Sequence, residues 1–368
     1  MSEQTKTRVL FLVQLPPPLH GASTMNQSVF NAISTDNQFK IRLINLNFAR
    51  DLADLQKVRF GKVVKAFAIF LRLIWQLLTF RPHTVYFSIV PLNFVLIRDA
   101  LYLLIIKLLL PKGKYVLHFH RSGLIEYAIK WRLKWFYRLL FRRCDIIHLS
   151  ESLVEKEIEP LRLVNVRIHA IPNFIDDIEP VPEKTISAGH DNILFLSNLL
   201  PQKGYNTLVD AFALLEKEYP NLTLTIAGPA PSQNVFIKLK NKITALGLDE
   251  KVLVTGKVDG AEKRKLFANA SIFILPSERE YFPLVVLEAM AYGVAVISSA
   301  RDNLDCYFQD ERDILYIDKI EVSSIVKCIK KLIDEPDLRI SIASNATFKS
   351  KEIQRESSNR LKKLLKAI

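Results

Sequence analysis

Cysteine is scarce in this sequence. Only three occur among 368 residues, at Cys144, Cys306 and Cys328. They lie far apart and show none of the short spacings of a metal site. Their scarcity argues against a disulfide framework and indicates a reducing compartment. We therefore predict three free thiols, each a small residue of the core.

Long hydrophobic runs are also missing. The apolar stretch Val9–Val13 is much shorter than the core of a secretory signal, and it leads directly into Gln14 and three prolines. A helix that spans a bilayer needs about 20 mostly apolar residues. Charged residues interrupt both candidate runs, 66–80 and 92–110. The sequence thus predicts a cytoplasmic chain that does not cross a membrane.

Acidic residues are almost absent from one window, residues 57–143. The window holds 17 Lys and Arg against Asp99 and Glu126, a net charge of +15, whereas the whole chain carries +13. All three tryptophans lie in it. A basic region rich in aromatic residues predicts an anionic partner, either a membrane or a nucleic acid.

Two segments of this window have the pattern of an amphipathic helix at a membrane interface. In each, basic residues recur at helical spacing beside apolar and aromatic ones, which suits contact with lipid phosphates. The alternative is a surface helix with inward-facing aromatics and solvated charges. Because two such segments share one charge-skewed half, we favour the membrane. The expected membrane and acceptor surface comprises Lys62, Lys65, Arg72, Lys130, Trp131, Lys134, Trp135, Arg138 and Arg142.

Strand-like runs alternate with helical patterns along the chain, six between residues 8 and 170 and six between residues 192 and 317. This is the βαβ rhythm of parallel, doubly wound sheets. We predict an α/β protein with two Rossmann-like domains facing a central cleft, residues 1–175 and 191–348. The proline-containing segment 176–190 is the predicted linker. Residues 349–368 are expected to form a helix that packs back on the first domain.

Ligands of such sheets bind where strands end and helices begin, so the residues just after strands are the candidates. Gly21, in LPPPLHGAS, follows the first strand and would let backbone N–H groups approach a phosphate. His120, in HFHRSG, is a candidate hydrogen-bonding group, base or metal ligand, although a lone histidine there is more often structural. We expect His118 and His120 to point to opposite faces of their strand, which makes them a poor metal pair.

The second half carries two further candidate stretches. Lys203 precedes a helix in LFLSNLLPQKG and is placed for an anion, although loop lysines are usually only solvated. Glu280 and Glu288 flank an apolar run in SEREYFPLVVLEAMAYG. They are placed to accept hydrogen bonds from two pairs of hydroxyl groups on one long ligand, such as a sugar and a ribose. Two surface glutamates on an amphipathic helix fit the pattern about as well.

The block EYFPLVVLEAMAYG resembles the E-x7-E signature of glycosyltransferase family 4, the retaining GT-B enzymes. Residues 198–204 are similar to its donor-phosphate segment G-R-L-x-x-x-K-G, IPNFID to its interdomain I-P-N-G-V-D, and AGPAP to the loop beside the nucleotide base. PPPLHGAS and HFH resemble the versions in bacterial enzymes that build surface polysaccharides. The resemblance covers most of residues 8–300 and implies the GT-B fold.

The resemblance also implies roles. Glu288 would bind ribose hydroxyls, Glu280 hydroxyls of the transferred sugar, and Lys203 the leaving diphosphate. His120 would lie by the sugar, so His120 and Glu280 are the expected catalytic residues. No metal or other cofactor is implied, since a lysine and helix N-termini stabilise the departing charge. The expected donor-binding residues are Gly21, Asn198, Lys203, Gly228, Phe282, Leu284 and Glu288.

Three features depart from the family pattern. Asn198 stands where an arginine is expected, and Tyr281 and Pro283 stand where glycines are expected. The segment ARDNLDC, residues 300–306, replaces a G-G-x-x-E motif. These departures leave the identity of the donor open.

Together, charge and resemblance predict a retaining glycosyltransferase of surface polysaccharide synthesis. The donor would be a nucleotide sugar, UDP favoured over GDP. The acceptor would be a polyprenyl-diphosphate-linked saccharide at the anionic inner leaflet of the plasma membrane. A GT-B enzyme with a soluble acceptor and a sugar-nucleotide epimerase are alternatives. A nucleic-acid-binding protein is less favoured, because it leaves Glu280 and Glu288 unexplained.

Overall fold

The computed structural model describes residues 6–18, 20–48, 60–175 and 191–366. The chain divides into two compact units, one of residues 1–176 with 354–368, the other of residues 177–353. The predicted linker, 176–190, lies outside the described residues.

The first unit is built on a parallel six-stranded sheet with the order β2-β1-β3-β4-β5-β6. Its strands are β1 (Thr7–Val13), β2 (Phe39–Asn45), β3 (Thr84–Ser88), β4 (Lys114–His118), β5 (Asp145–His148) and β6 (Arg167–Ala170). Its helices are α1 (Gly21–Ser34), α2 (Phe60–Thr79), α3 (Asn93–Leu109), α4 (Leu124–Lys130), α5 (Lys134–Leu140) and α6 (Glu151–Leu153), which continues as a π-helical turn (Val154–Ile158) and a 3₁₀ turn (Glu159–Leu161).

The second unit repeats the plan, with the parallel order β12-β11-β10-β7-β8-β9. Its strands are β7 (Asn192–Leu196), β8 (Thr223–Ala227), β9 (Val252–Gly256), β10 (Ile272–Leu275), β11 (Ala295–Ser298) and β12 (Leu315–Tyr316). Its helices are a 3₁₀ turn (Pro201–Lys203), α7 (Tyr205–Leu215), α8 (Gln233–Ala245), α9 (Gly260–Ala268), α10 (Leu284–Ala291), α11 (Arg301–Leu304), α12 (Val322–Asp334) and α13 (Pro336–Leu365), whose last residues belong to the first unit.

The central strands have continuous apolar runs because both faces of each sheet are covered. Residues 9–13 of β1 and residues 272–275 of β10 are all fully buried. A sheet that is solvated on one face would alternate polar and apolar residues instead. Each of the twelve predicted runs forms a strand, and the prediction of a two-domain α/β fold is confirmed.

The strand order determines where ligands can bind. In each sheet the first strand of the unit, β1 or β7, has neighbours that the chain reaches in opposite directions. At such a reversal, the connections leave the carboxyl ends of adjacent strands on opposite faces of the sheet and open a crevice. The loops after β7 and β10 therefore meet at the same edge of the second sheet.

The predicted amphipathic helix that carries Lys130 and Lys134 is not one helix. It is broken between α4 and α5, where Arg132 adopts a left-handed conformation with φ of 54°. Left-handed backbone cannot continue a right-handed helix. The predicted basic residues Lys130, Lys134, Arg138 and Arg142 therefore do not form one continuous helical stripe.

The prediction for the cysteines is right for one residue and wrong for another. All three thiols are free, and Cys144 is buried as expected. Cys306, however, is exposed. It follows the short helix α11 on the surface of the second unit.

Gly204, which follows Lys203, provides a test of the donor-phosphate segment. It has φ of +76°, and a Cβ there would lie 1.9 Å from the carbonyl oxygen of Pro276. Gly247 has φ of +70° but open space around it. We expect Gly247→Ala to lower the free energy of unfolding by about 1 kcal/mol, the cost of a left-handed backbone for a residue with a Cβ. Gly204→Ala should cost roughly 3 kcal/mol or more, since backbone must also move. Urea denaturation of both variants measures the difference, and equal losses would contradict the close packing.

Candidate functional site

The second unit brings Lys203 and Glu280 together. Lys203 ends the 3₁₀ turn after β7, and Glu280 lies in the loop after β10. The Lys203 Nζ atom is 2.6 Å from Oε1 of Glu280, and the side chains are 18% and 11% exposed. A backbone hydrogen bond of 2.8 Å from Glu278 to Gln202 joins the same two loops. The crevice therefore contains a mostly buried cation beside a mostly buried carboxylate.

The segment that departs from the G-G-x-x-E motif supports the Glu280 loop. The Asn303 side chain, 9% exposed, donates a 2.7 Å hydrogen bond to the backbone oxygen of Glu280. The ring of Tyr307 packs edge-on against Phe282, with 5.3 Å between centroids. Sequence reasoning missed Asn303 and Tyr307 as supports. Their only signal was that they closely follow β11.

Glu288 has a lysine partner of its own. It lies in α10, and the Nζ atom of Lys263, in α9, is 2.6 Å from Oε1 and 2.6 Å from Oε2 of its carboxylate. Sequence reasoning also missed Lys263. The signal was available, because Lys263 lies close to the N-terminus of the helix that follows β9, which is where ligand-binding residues of such sheets are expected.

The remaining expected donor-binding residues of this unit follow strands. Asn198, Gly228 and Phe282 lie in the loops after β7, β8 and β10, and Leu284 begins α10. Gly228 has φ of +139°, and a Cβ there would lie 1.9 Å from the oxygen of Ser197 and 3.4 Å from the nitrogen of Asn198. The structure thus brings Gly228 and Asn198 side by side. Phe282 and Leu284 bury their side chains, which are 3% and 8% exposed.

The first unit gathers histidines at the carboxyl end of its sheet. Gly21 is the first residue of α1, and His20 caps this helix by accepting a hydrogen bond from the backbone of Ser23 at 3.3 Å. The Nε2 atom of His120 lies 3.1 Å from Oδ1 of Asn26, a buried residue of α1. The two candidates of this unit, Gly21 and His120, are therefore both tied to α1.

The expectation that His118 and His120 point to opposite faces is wrong. Their rings lie 4.0 Å apart between centroids, and His118 bonds through Nδ1 to the hydroxyl of Tyr86. The physical reason is that residues two apart on a strand share a face. In the described part of the chain, however, no group of three or more His, Cys, Asp and Glu side chains is arranged to hold a metal ion.

Burial makes these imidazoles neutral. Loss of solvent lowers the pKa of His120 to about 3 and that of His148 to about 4, with further lowering at His120 from His148. The same cause holds the pKa of His118 well below its usual value. The buried atoms His20 Nε2, His118 Nε2 and His120 Nδ1 have no hydrogen-bond partner among the described residues. Neutral imidazoles can either donate or accept, which suits hydroxyl groups of a ligand.

The helices α2 and α3 of the first unit expose more apolar side chains than the sequence analysis predicted. The helix α2 buries Ile69, Leu73 and Leu77. Its opposite side exposes Phe60, Val63, Val64, Phe67, Leu71, Trp75 and Leu78, each by more than 50%. The neighbouring α3, which packs on α2 through the stacked rings of Tyr102 and Phe70, exposes Ile97, Leu101, Leu104 and Leu108. The stripe on α3 was missed, although its helical spacing is visible in the sequence.

Most of the predicted basic residues of the first unit are exposed. These are Lys65, Arg72, Lys130, Arg138 and Arg142, and Trp131 and Trp135 are exposed as well. Arg138 and the partly buried Lys134 also donate hydrogen bonds to the backbone oxygens of residues 161 and 160, at 2.7 and 3.4 Å. None of the helices among the described residues is both long enough and apolar enough to cross a membrane.

Comparison with known proteins gives a family for the second unit. Residues 178–348 match the family described as glycosyl transferases group 1. The mannosylfructose-phosphate synthase of Agrobacterium fabrum is 27% identical over 198 residues, which are 50% of this chain and 44% of that protein. The chain spans about half the length of the curated relatives it matches.

Solved structures extend the likeness to the whole chain. The sucrose-phosphate synthase of Thermosynechococcus elongatus is 14% identical, with a TM-score of 0.72 over 98% of both chains. HepE from Anabaena, solved in complex with UDP, is 18% identical, with a TM-score of 0.69 over 97% of this chain and 100% of that one. At these identities the likeness establishes the fold, which is GT-B.

The neutral histidines predict a pH dependence of stability. The unfolded chain takes up protons near pH 6.5, but the folded chain keeps His120 and His148 neutral down to about pH 3 and about pH 4. Their contribution to the free energy of unfolding is therefore complete above pH 6.5 and is lost as the pH falls. We expect about 1.4 kcal/mol of unfolding free energy to be lost per histidine for each pH unit below 6.5. Urea denaturation at pH 7.5, 6.5 and 5.5 measures this slope. His148→Gln should reduce it by one histidine's share, and an unchanged slope would contradict the assignment.

Proposed function

We propose, from the match of residues 178–348 to glycosyl transferases group 1, that the chain transfers a sugar from a nucleotide-diphosphate sugar to a saccharide acceptor. The observation that carries the proposal is the Lys203–Glu280 pair at the adjoining ends of β7 and β10. A cation and a hydrogen-bond acceptor side by side suit a ligand in which a diphosphate is joined to a polyhydroxylated sugar.

In the proposed reaction, the Lys203 ammonium group stabilises the negative charge that grows on the leaving diphosphate. Glu280 holds hydroxyls of the sugar, and Glu288 holds hydroxyls of the ribose. The departing phosphate takes the proton of the acceptor hydroxyl on the same face of the sugar, so the anomeric configuration is retained. Each glutamate is engaged by a lysine at 2.6 Å, which supports a binding role for both rather than that of a free nucleophile.

His120 is proposed to act on the sugar as a neutral hydrogen-bonding group. Its Nε2 atom is occupied by Asn26, whereas Nδ1 has no partner among the described residues. With a pKa lowered to about 3, the ring carries no charge at neutral pH. Such a group can orient a hydroxyl without adding a second cation to the leaving phosphate. No metal or other cofactor is required by this proposal.

We propose UDP as the nucleotide of the donor. The support is that HepE, which shares the fold, was solved with UDP. We expect calorimetric titration in the presence of EDTA to detect binding of UDP and weaker binding of GDP. In Glu288→Ala, the affinity should fall by about 10- to 100-fold, the range expected when charged hydrogen bonds are lost.

Glu250→Ala is the matched control, because Glu250 is an exposed glutamate of the same unit. Its nucleotide affinity should equal that of the wild type. If Glu288→Ala binds as tightly as the control, Glu288 has no part in a donor site. If the wild type binds neither nucleotide, the proposed activity itself is wrong.

We further propose that the acceptor is lipid-linked and that the first unit binds the anionic inner leaflet of the plasma membrane. The support is the exposed apolar side of α2 and α3 beside exposed basic residues such as Arg72 and Arg142. A continuous apolar patch of this kind is unusual on a surface that meets only water. Basic residues near it would add roughly 1 kcal/mol each on an anionic membrane.

Two variants separate the apolar from the electrostatic contribution. Phe67→Ser with Leu71→Ser and Trp75→Ser should abolish sedimentation with both neutral and anionic vesicles, because insertion is lost. Lys130, Lys134, Arg138 and Arg142 changed together to Gln should lower binding to anionic vesicles at least about tenfold and leave neutral vesicles unaffected. Leu214→Ser with Ile237→Ser, at exposed apolar positions of the second unit, is the control. Unchanged vesicle binding in both test variants would exclude this surface as the membrane contact, and failure of the wild type to bind vesicles would favour a soluble acceptor.

A further inference from the structure

Lys263 occupies an unfavourable position for its own helix. It is the fourth residue of α9, close to the positive end of the helix dipole, where a cation is disfavoured. The acidic residues Asp259, at the N-cap, and Glu262, in the first turn, suit this helix end, whereas a lysine does not. The stability of α9 therefore does not explain why a lysine stands here.

The contact between Lys263 and Glu288 explains why a lysine occupies this position. Its Nζ atom is 2.6 Å from both oxygens of Glu288, and the two side chains are only 24% and 16% exposed. A symmetric contact to both oxygens fixes the rotation of the carboxylate group as well as its position. Two further lone pairs of the carboxylate stay available for a ligand.

We propose that Lys263 is a positioning residue that orients the Glu288 carboxylate toward the ribose hydroxyls of the donor. The inference rests on the proposed function, because it needs a ribonucleotide in the site. Lys263 itself touches neither the phosphates nor the base. It acts on the ligand only through Glu288, and so sets the preference for a ribonucleotide over a 2′-deoxyribonucleotide.

This role differs from that of Lys203. The Lys203 ammonium group meets the diphosphate, which UDP and dUDP share. Lys203→Met should therefore weaken both nucleotides by the same factor. Lys263→Met should weaken UDP more than dUDP, because only UDP has a 2′-hydroxyl to donate a hydrogen bond to the oriented carboxylate, whereas both nucleotides keep the 3′-hydroxyl.

The experiment is calorimetric titration of the full chain with UDP and dUDP, and in parallel with GDP and dGDP. We expect the wild type to prefer UDP over dUDP by about tenfold, the effect of one hydrogen bond to a charged group. In Lys263→Met this preference should fall to about threefold or less, and in Lys263→Arg it should return to within about twofold of the wild type. Lys265→Met removes an exposed lysine of the same helix and should leave the preference unchanged.

Thermal denaturation of each variant checks that the second unit stays folded. If Lys263→Met loses stability, Lys263→Arg still tests the inference, because it keeps a cation beside Glu288. An unchanged UDP preference in Lys263→Met, or an equal loss of UDP and dUDP, would overturn the positioning role while the proposed donor site stood. Failure of the wild type to bind any of the four nucleotides would overturn both.

Discussion

The contact between Lys203 and Glu280 depends on the order of strands, and the candidate site depends on that contact. The strands β7 and β10 are far apart in the chain but adjacent in the sheet, so the loops that follow them meet. Neither strand contains a charged residue, and residues 193–195 and 272–275 are fully buried, so the loops that follow are the places where charge can be carried at low cost. A different strand order would leave each of these charged groups without its partner.

The sequence was sufficient for those parts of the molecule that follow from local pattern. Strands buried on both faces read as continuous apolar runs, and polar residues just after them mark the edge where ligands bind. Lys203, Glu280 and Glu288 were found in this way. Lys263 satisfies the same rule, but its pairing with Glu288 joins helices that follow β9 and β10, which are not neighbours in the sheet. That contact depends on the packing of the whole unit.

The errors have equally specific causes. The periodicity of residues 130–142 predicted one helix. The left-handed backbone at Arg132 could not be predicted, because arginine is a good helix former. The faces of His118 and His120 were misassigned, although the two-residue period of a strand was enough to place them correctly. The support of the Glu280 loop by Asn303 could not be predicted from the family pattern, because this segment departs from it.

The two units differ in the charge of their candidate residues. Those of the second unit include ion pairs, and those of the first unit include neutral histidines. In the second unit each candidate glutamate is paired with a lysine at 2.6 Å. In the first unit exposed basic residues such as Arg72 and Arg142 lie on the surface, and the carboxyl end of the sheet gathers imidazoles that burial keeps neutral. Neutral imidazoles beside α1 suit hydrogen bonds with a hydroxylated group. The Lys203 ammonium group, held beside Glu280 in the second unit, is the group that the proposed reaction uses to stabilise the leaving diphosphate.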